Sequence, residues 1–248
     1  MSDEMTPMQK VDFSPLIHKA KQNAAEAEKL LASQTPQQAE TAGQTAERNA
    51  RILALHNFPA ENLRPDIAKV SPQFRKPIDD YCKAIATMID AHHGVFFSGG
   101  LGSGKTSCMA LIALAAHNAD IPVVYIRSGQ DVAYACDMVD AKQRAYSMSF
   151  QAAAEDVTTR KIWPHSEAKI LLIDDLDYVD NDAAMQTVGR YLYNAYANGQ
   201  CVCVACNISW RDLVMHRPLQ RVADRWERHI PPQYRLLSAE SSRRGGAQ

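Results

Sequence analysis

The residues best suited to chemistry lie in a glycine-rich stretch between a short apolar run and a helical pattern. Val95-Phe96-Phe97 leads to Gly99, and Gly104-Lys105-Thr106 follows after four further residues. The pattern G-x-x-x-x-G-K-[ST] between a strand and a helix is typical of a P-loop, whose backbone N–H groups cradle phosphate oxygens. In such a loop the lysine reaches the β- and γ-phosphates and the threonine hydroxyl holds Mg²⁺. The residues predicted to bind the phosphates are Gly99, Gly100, Leu101, Gly102, Ser103, Gly104, Lys105, Thr106 and Ser107.

A pair of acidic residues ends a second apolar run. Four apolar residues, 170–173, lead directly into Asp174-Asp175, as in a Walker B motif. Parallel strands deliver such carboxylates to the sheet edge where nucleotide and metal bind. We expect Asp174 to hold Mg²⁺ and Asp175 to orient or deprotonate the attacking water. Asn207, at the end of the next apolar run, is expected to position the water or the γ-phosphate, although an asparagine that only forms a turn fits equally well.

The C-terminal segment is rich in arginine. Residues 211–248 contain eight arginines, four acidic residues and no lysine. Arg221 and Arg225 are spaced to share one helix face. A planar, permanently charged guanidinium suits a transferring phosphate, so we interpret this pair as an arginine finger offered to the nucleotide of a neighbouring subunit. The alternative is a solvated basic face.

The pattern of elements predicts a parallel sheet. Strands are expected over 121–126, 169–174 and 201–206, and helices over 105–117, from Ser128 to about Glu155, and over 183–198. Strands that alternate with helices favour right-handed crossovers and an α/β fold. Cys201, Cys203 and Cys206 could form a metal site, but cysteines buried in a strand are the simpler interpretation.

The first 60 residues differ from the rest, because they are rich in Ala, Gln and Glu and contain no Cys, Trp or Tyr. Apolar residues at helical spacing predict two slender helices with alanine-dominated faces, which are too small to bury a core alone. We therefore predict a helical partner-binding module over residues 1–58, with a partly disordered tail as the alternative. A proline-containing linker over 59–73 and a core domain over 74–248 complete the predicted division.

Composition excludes several classes of protein. A chain of 248 residues with a formal net charge of −1 carries no global signal for nucleic acid, so such a surface would have to be local. No apolar run approaches the roughly 18 residues of a membrane span, and no secretory signal is visible. Six cysteines without a framework spacing fit the reducing cytosol, so we expect a cytoplasmic protein without a membrane partner.

Taken together, these motifs resemble the DnaC/IstB group of AAA+ ATPases, and within it the replicative helicase loaders of the DnaC type. The resemblance covers residues 55–244, with Ser107 and Ala195 standing where the family commonly has His and Arg. It implies an α/β P-loop AAA+ (ASCE-type) sheet with flanking helices and little or no lid domain. It also implies Arg225 as the finger with Arg221 in support, and Arg243 (or Arg244) as the sensor 2 arginine. The motifs that carry the resemblance are GGLGSGKT (99–106), ILLIDDLD (170–177), CVCVACNIS (201–209) and RVADR (221–225).

The resemblance implies an ATP-dependent loader of the hexameric replicative helicase onto single-stranded DNA during replication initiation. ATP and Mg²⁺ would be the cofactors, and slow, switch-like ATP hydrolysis is expected. The N-terminal helices would hold the helicase, and subunits would associate through Arg225. An IstB-type transposition helper that recruits a transposase is the alternative, and a nucleotide-binding adaptor without turnover is a second. Candidate DNA contacts are Lys142, Arg144, Tyr146 and Phe150, and a structural role for this cluster fits the sequence at least as well.

Overall fold

The computed structural model describes residues 41–146 and 168–238, with residues 138–146 as backbone only. Five strands form one all-parallel sheet in the order β2-β3-β4-β1-β5. This confirms the predicted α/β fold with a parallel sheet and flanking helices, in which β4 lies between the strand before the P-loop and the strand before the acidic pair. The strands are β1 (Phe96–Ser98), β2 (Val123–Ile126), β3 (Ile170–Ile173), β4 (Cys201–Cys206) and β5 (Arg235–Leu237).

Helices flank the sheet, and short 3₁₀ turns at Ala60–Asn62, Ile67–Lys69, Arg217–Leu219 and Pro232–Tyr234 connect them. In chain order the helices are α1 (Ala42–Leu55), α2 (Pro72–Lys83), α3 (Ile85–Asp90), α4 (Lys105–Asn118), α5 (Gly129–Tyr146), α6 (Asp182–Ala197), α7 (Trp210–Met215) and α8 (Gln220–His229). As predicted, Ser128 caps α5: its hydroxyl accepts a hydrogen bond from Asp131 N at 3.1 Å.

The strands alternate between two apolar clusters, one on each face of the sheet. In β3, Ile170 and Leu172 belong to the cluster that includes α2 and α4, whereas Leu171 and Ile173 belong to the cluster that includes α6 and α8. A parallel strand covered on both faces must be apolar at every position, which explains its uninterrupted apolar sequence. The three strand cysteines, Cys201, Cys203 and Cys206, are fully buried in the same way.

The chain divides into two units, Met1–Thr45 and Ala46–Gln248. The structure describes only residues 41–45 of the first. There, Thr41 Oγ1 accepts from Gln44 N at 3.3 Å and Gln44 Oε1 accepts from Thr41 N at 2.9 Å, the reciprocal capping box that a T-x-x-Q sequence predicts. In the second unit, Ile52, Leu53 and Phe58 are buried in the core. The predicted division at 58/59 and 73/74 stays a prediction.

One local prediction was wrong, and one strand was not predicted. Apolar residues at helical spacing from Phe74 to Ile89, with Gly94 as the stop, predict a single helix. The structure has two, α2 and α3, because Ala84 leaves helical geometry at φ −104° and ψ 19°. No strand was predicted after Cys206, yet residues 235–237 pair in parallel with β1. Across residues 41–146 and 168–238, no helix has the length and apolar character needed to cross a bilayer. Nor does that part of the chain bring together three or more His, Cys, Asp or Glu side chains that could hold a metal ion by themselves.

Candidate functional site

The glycine-rich stretch forms a tight turn between β1 and the start of α4. Gly104 has φ +90°, and a Cβ there would lie 3.0 Å from Val70 Cα, so only glycine fits without strain. No side chain caps α4, whose first N–H groups therefore face the loop. Ser71 N donates to Ser103 O at 3.0 Å and fixes the loop to the segment that precedes α2.

Lys105 lies at the mouth of this loop with its ammonium held by neutral oxygens. Its Nζ donates to Gly99 O at 2.7 Å, to Gly100 O at 3.4 Å and to Asn207 Oδ1 at 3.0 Å. The side chain is buried, and no carboxylate in the described part of the chain pairs with it. A buried cation without a counter-ion is costly unless an anion is supplied from outside. The predicted neighbours Lys105 and Asn207 are thus brought together, although they are 102 residues apart.

The two predicted metal ligands are in direct contact. Thr106 Oγ1 donates to Asp174 Oδ2 at 2.6 Å. Asp174 Oδ1 accepts from Asp175 N at 3.0 Å, and Tyr125 OH donates to Oδ2 at 3.2 Å. Burial raises the pKa of Asp174 from its ordinary 3.8 to about 6, although the hydrogen bond from Thr106 opposes this rise. The carboxyl group therefore ionises in the neutral pH range in which a divalent cation would bind it.

Asp175 has an unusual backbone conformation. Its φ is +36°, a left-handed value that residues other than glycine, asparagine and aspartate rarely adopt. The turn that follows is held by Leu176 N, which donates to Ala205 O at 2.9 Å, and by Asp177 Oδ1, which accepts from Asn207 N at 3.0 Å. This places the Asp175 side chain on the wall of the cleft beside the P-loop.

Most of the predicted residues line one cleft of about 760 Å³: Leu101, Gly102, Gly104, Lys105, Thr106, Ser107, Asp174 and Asp175. Gly99, Gly100, Ser103 and Asn207 are not in its lining, and Asn207 is linked to it through its contact with Lys105.

Several of the residues that line this cleft were not predicted from the sequence. Tyr125 lies near the end of β2, and Arg127 follows the strand directly. The signal that could have identified them is the presence of polar residues at the carboxyl end of a predicted strand. The segment before α2 carries no such signal, yet Ser107 Oγ donates to Asn62 Oδ1 at 3.0 Å. The lining residues that were not predicted are Pro59, Glu61, Asn62, Lys69, Tyr125, Arg127, Ser128, Asp131 and Tyr178.

The donor set fits a phosphate chain with a hard divalent cation. Thr106 and Asp174 offer oxygen ligands, which Mg²⁺ prefers. Ser103 Oγ is buried and has no hydrogen-bond partner within the described residues. Together with the uncapped start of α4 and the unpaired Lys105, it supplies donors for anionic oxygens.

Arg221 and Arg225 do not reach this cleft. Both lie on α8, and the Arg225 guanidinium stands 5.5 Å from the centroid of the Tyr193 ring. Arg221 lines a second, larger groove of about 1350 Å³ between α6 and the 217–221 segment, together with Arg190, Tyr193 and Arg217. The P-loop residues and the two carboxylates line the smaller cleft. Arg243 and the candidate DNA contact Phe150 lie outside the described residues, as do the side chains of Lys142, Arg144 and Tyr146.

No protein-family model and no curated protein matches the sequence. The chain is similar to several solved structures. One is the replication initiator DnaA bound to AMPPCP and single-stranded DNA (TM-score 0.46, 17% identity, covering 64% of this chain and 44% of that one). Another is DnaI (TM-score 0.48, 17% identity, 72% of this chain and 93% of that one). A third is a putative primosome component from Streptococcus pyogenes serotype M3 (TM-score 0.43, 15% identity, 75% and 92%).

The chain spans less than half of the DnaA chain that it matches. At 15 to 17% identity and TM-scores of 0.43 to 0.48, these similarities assign no function to the chain.

Proposed function

We propose that the chain binds and hydrolyses ATP with Mg²⁺ in the cleft beside the P-loop. The observation that carries the proposal is the 2.6 Å contact between Thr106 and Asp174, which joins the P-loop helix to the acidic end of β3. A chance glycine-rich turn has no reason to meet a buried carboxylate 68 residues away in the chain. Nor would such a turn place beside Asn207 a buried lysine that pairs with no carboxylate of the described residues.

Each side chain then has a defined task. Lys105 leaves the carbonyl groups of Gly99 and Gly100 and neutralises the β- and γ-phosphates. Thr106 and Asp174 hold the metal, which when bound offsets charge on the phosphate oxygens. Asp175 accepts the proton of the attacking water, and Asn207 orients that water or the γ-phosphate. The turn keeps the Asp175 carboxylate at the cleft wall, where it is half-exposed rather than buried.

The arginine finger of this reaction is proposed to come from a second subunit. Arg225 does not line its own cleft; it is half-buried and packs over the face of Tyr193, so a cleft that uses this guanidinium has to belong to another subunit. A guanidinium supplied by a neighbour stabilises the transition-state charge and accounts for roughly 10³-fold or more of the rate. Arg221, four residues earlier on α8, is placed to support it.

Mixing two inactive variants tests this arrangement. Asp175→Asn keeps Arg225 but lacks the base, and Arg225→Ala keeps an intact cleft but lacks the finger. Each alone should hydrolyse ATP poorly, and an equimolar mixture should regain activity because one subunit completes the cleft of the other. Arg228→Ala, an exposed arginine on the same helix, is the matched control and should remain active. Failure of the mixture to recover, with assembly intact, would contradict a finger acting between subunits.

We further propose that this ATPase loads a hexameric replicative helicase onto single-stranded DNA in the cytoplasm. Support comes from the order and identity of the four motifs, including RVADR (221–225), and from the alanine-rich helical pattern of residues 1–58. In this proposal the N-terminal segment holds the helicase, and the nucleotide state sets when the helicase opens and is released.

Light scattering after size exclusion tests the partner. The full-length chain is mixed with the replicative helicase of the cell in which it functions, under ATP and under ADP. A complex whose stability depends on the nucleotide would support the loader. Absence of a complex, together with preferential binding of duplex over single-stranded DNA, would instead favour the transposition helper.

A further inference from the structure

The carboxylate predicted to bind the metal has a hydrogen-bond donor that no motif specifies. Tyr125, on β2, is buried, and its hydroxyl donates to Asp174 Oδ2 at 3.2 Å. The same oxygen accepts from Thr106 at 2.6 Å. The backbone N–H of Asp175 holds the other oxygen. Both oxygens of Asp174 are therefore oriented, and one of them is shared between the P-loop helix and β2.

Tyr125 is itself held by an aromatic stack. The rings of Phe58 and Tyr125 lie nearly parallel, 19° apart, with their centroids separated by 3.8 Å. Phe58 is also buried, and its N–H donates to Leu53 O at 3.1 Å, which ties it to the last turn of α1. A phenol ring that is packed on one face by a fixed neighbour has little freedom to swing its hydroxyl away.

We infer that Tyr125 is a positioning residue for the Asp174 carboxylate, and that Phe58 acts on the metal site through Tyr125. The inference rests on the proposed Mg²⁺-dependent function. Hydrogen-bonding partners of a ligating carboxylate set its orientation, and their loss typically weakens metal binding by about 10- to 100-fold. The segment that follows α1 would thus contribute to the nucleotide site without touching the nucleotide.

A structural role makes a different prediction. If Tyr125 and Phe58 only fill the core, Tyr125→Phe would change little, since the ring, the stack and the burial remain. If the hydroxyl positions Asp174, Tyr125→Phe should weaken the metal while leaving the fold intact. Phe58→Leu removes the stack but keeps an apolar side chain, so it separates the two contributions.

The test measures Mn²⁺ binding by electron paramagnetic resonance, with ADP present and the full-length chain. We expect Tyr125→Phe and Phe58→Leu each to weaken Mn²⁺ binding by about tenfold. In the double variant, Phe58→Leu should add no further loss, because its effect passes through the absent hydroxyl. Tyr234→Phe is the matched control, because Tyr234 lies in the same apolar cluster and forms its ring contact with Tyr81 instead.

The outcomes are distinct. Unchanged Mn²⁺ affinity in Tyr125→Phe would overturn the inference, and additive losses in the double variant would overturn the route through Tyr125. An equal loss in Tyr234→Phe would show a general packing effect and would also overturn it. Failure of the unsubstituted chain to bind Mn²⁺ with ADP or to hydrolyse ATP would instead contradict the proposed function.

Discussion

Replacing the buried carboxylate of Asp174 should stabilise the metal-free protein. Burial raises its pKa from 3.8 to about 6, and moving a pKa by this amount corresponds to about 3 kcal/mol of stability. The folded state disfavours the charged form, so the unfolded chain binds the proton more weakly. The charge therefore destabilises the fold fully above pH 6, and this cost is lost as the pH falls toward 3.8.

Asp174→Asn removes the charge and keeps the shape. The introduced amide oxygen can still accept from Asp175 N, and the hydroxyls of Thr106 and Tyr125 can rotate to accept from the NH₂ group. We expect the free energy of unfolding to rise by up to about 3 kcal/mol at pH 8, and by about half as much at pH 5. The same substitution should abolish Mg²⁺-dependent nucleotide binding, since the amide carries no charge for the cation.

Urea denaturation in EDTA at pH 8 and pH 5 measures this difference, provided that the m-values of the two proteins agree. Asp180→Asn is the matched control: it makes the same chemical change on an exposed carboxylate six residues further on, and it should be nearly neutral at both pH values. A gain of equal size at pH 8 and pH 5, or no gain at all, would refute the conclusion that burial of the charge is the cause.

Three further predictions follow from the same structure. Gly94→Ala should cost more than about 3 kcal/mol in urea denaturation, because a Cβ there would lie 1.8 Å from Val202 O; a loss below 1 kcal/mol would contradict this close approach. Burial lowers the pKa of His56, so the contribution of this side chain to stability should be lost as the pH drops below 6.5, and His56→Gln should gain stability relative to the unsubstituted chain over that range; a difference between the two proteins that does not change with pH would disprove it. Lys105→Ala should lose binding of a fluorescent ATP analogue while remaining folded by circular dichroism, and retained tight binding would contradict the P-loop assignment.

The parts of the site that the sequence predicts are those carried by local pattern. An apolar run predicts a strand, and the residue that follows it, such as Gly99 or Asp174, is then expected at the carboxyl edge of the sheet. This is because parallel strands place their carboxyl ends at one edge. Accordingly, Thr106 contacts Asp174, and Lys105 contacts Asn207. The parallel strand β5 had no such signal, since its three residues follow Pro231-Pro232 and form a strand only by pairing with β1.

The remaining part of the site comes from packing between distant residues, which no spacing rule describes. Phe58 stacks on Tyr125, and Asn62 accepts from Ser107, yet both come from a segment predicted to be module end and linker. Their positions depend on how the end of α1 is buried against the P-loop side of the sheet. Residues 59–73 were predicted to be a linker because they contain prolines and lack periodicity. These features describe the backbone of the segment and do not indicate which residues it contacts. Hydrophobic periodicity therefore does not predict a cleft wall that is built from irregular backbone. In this protein such a segment contacts both Ser107 of the P-loop helix and Tyr125, the tyrosine inferred to orient Asp174.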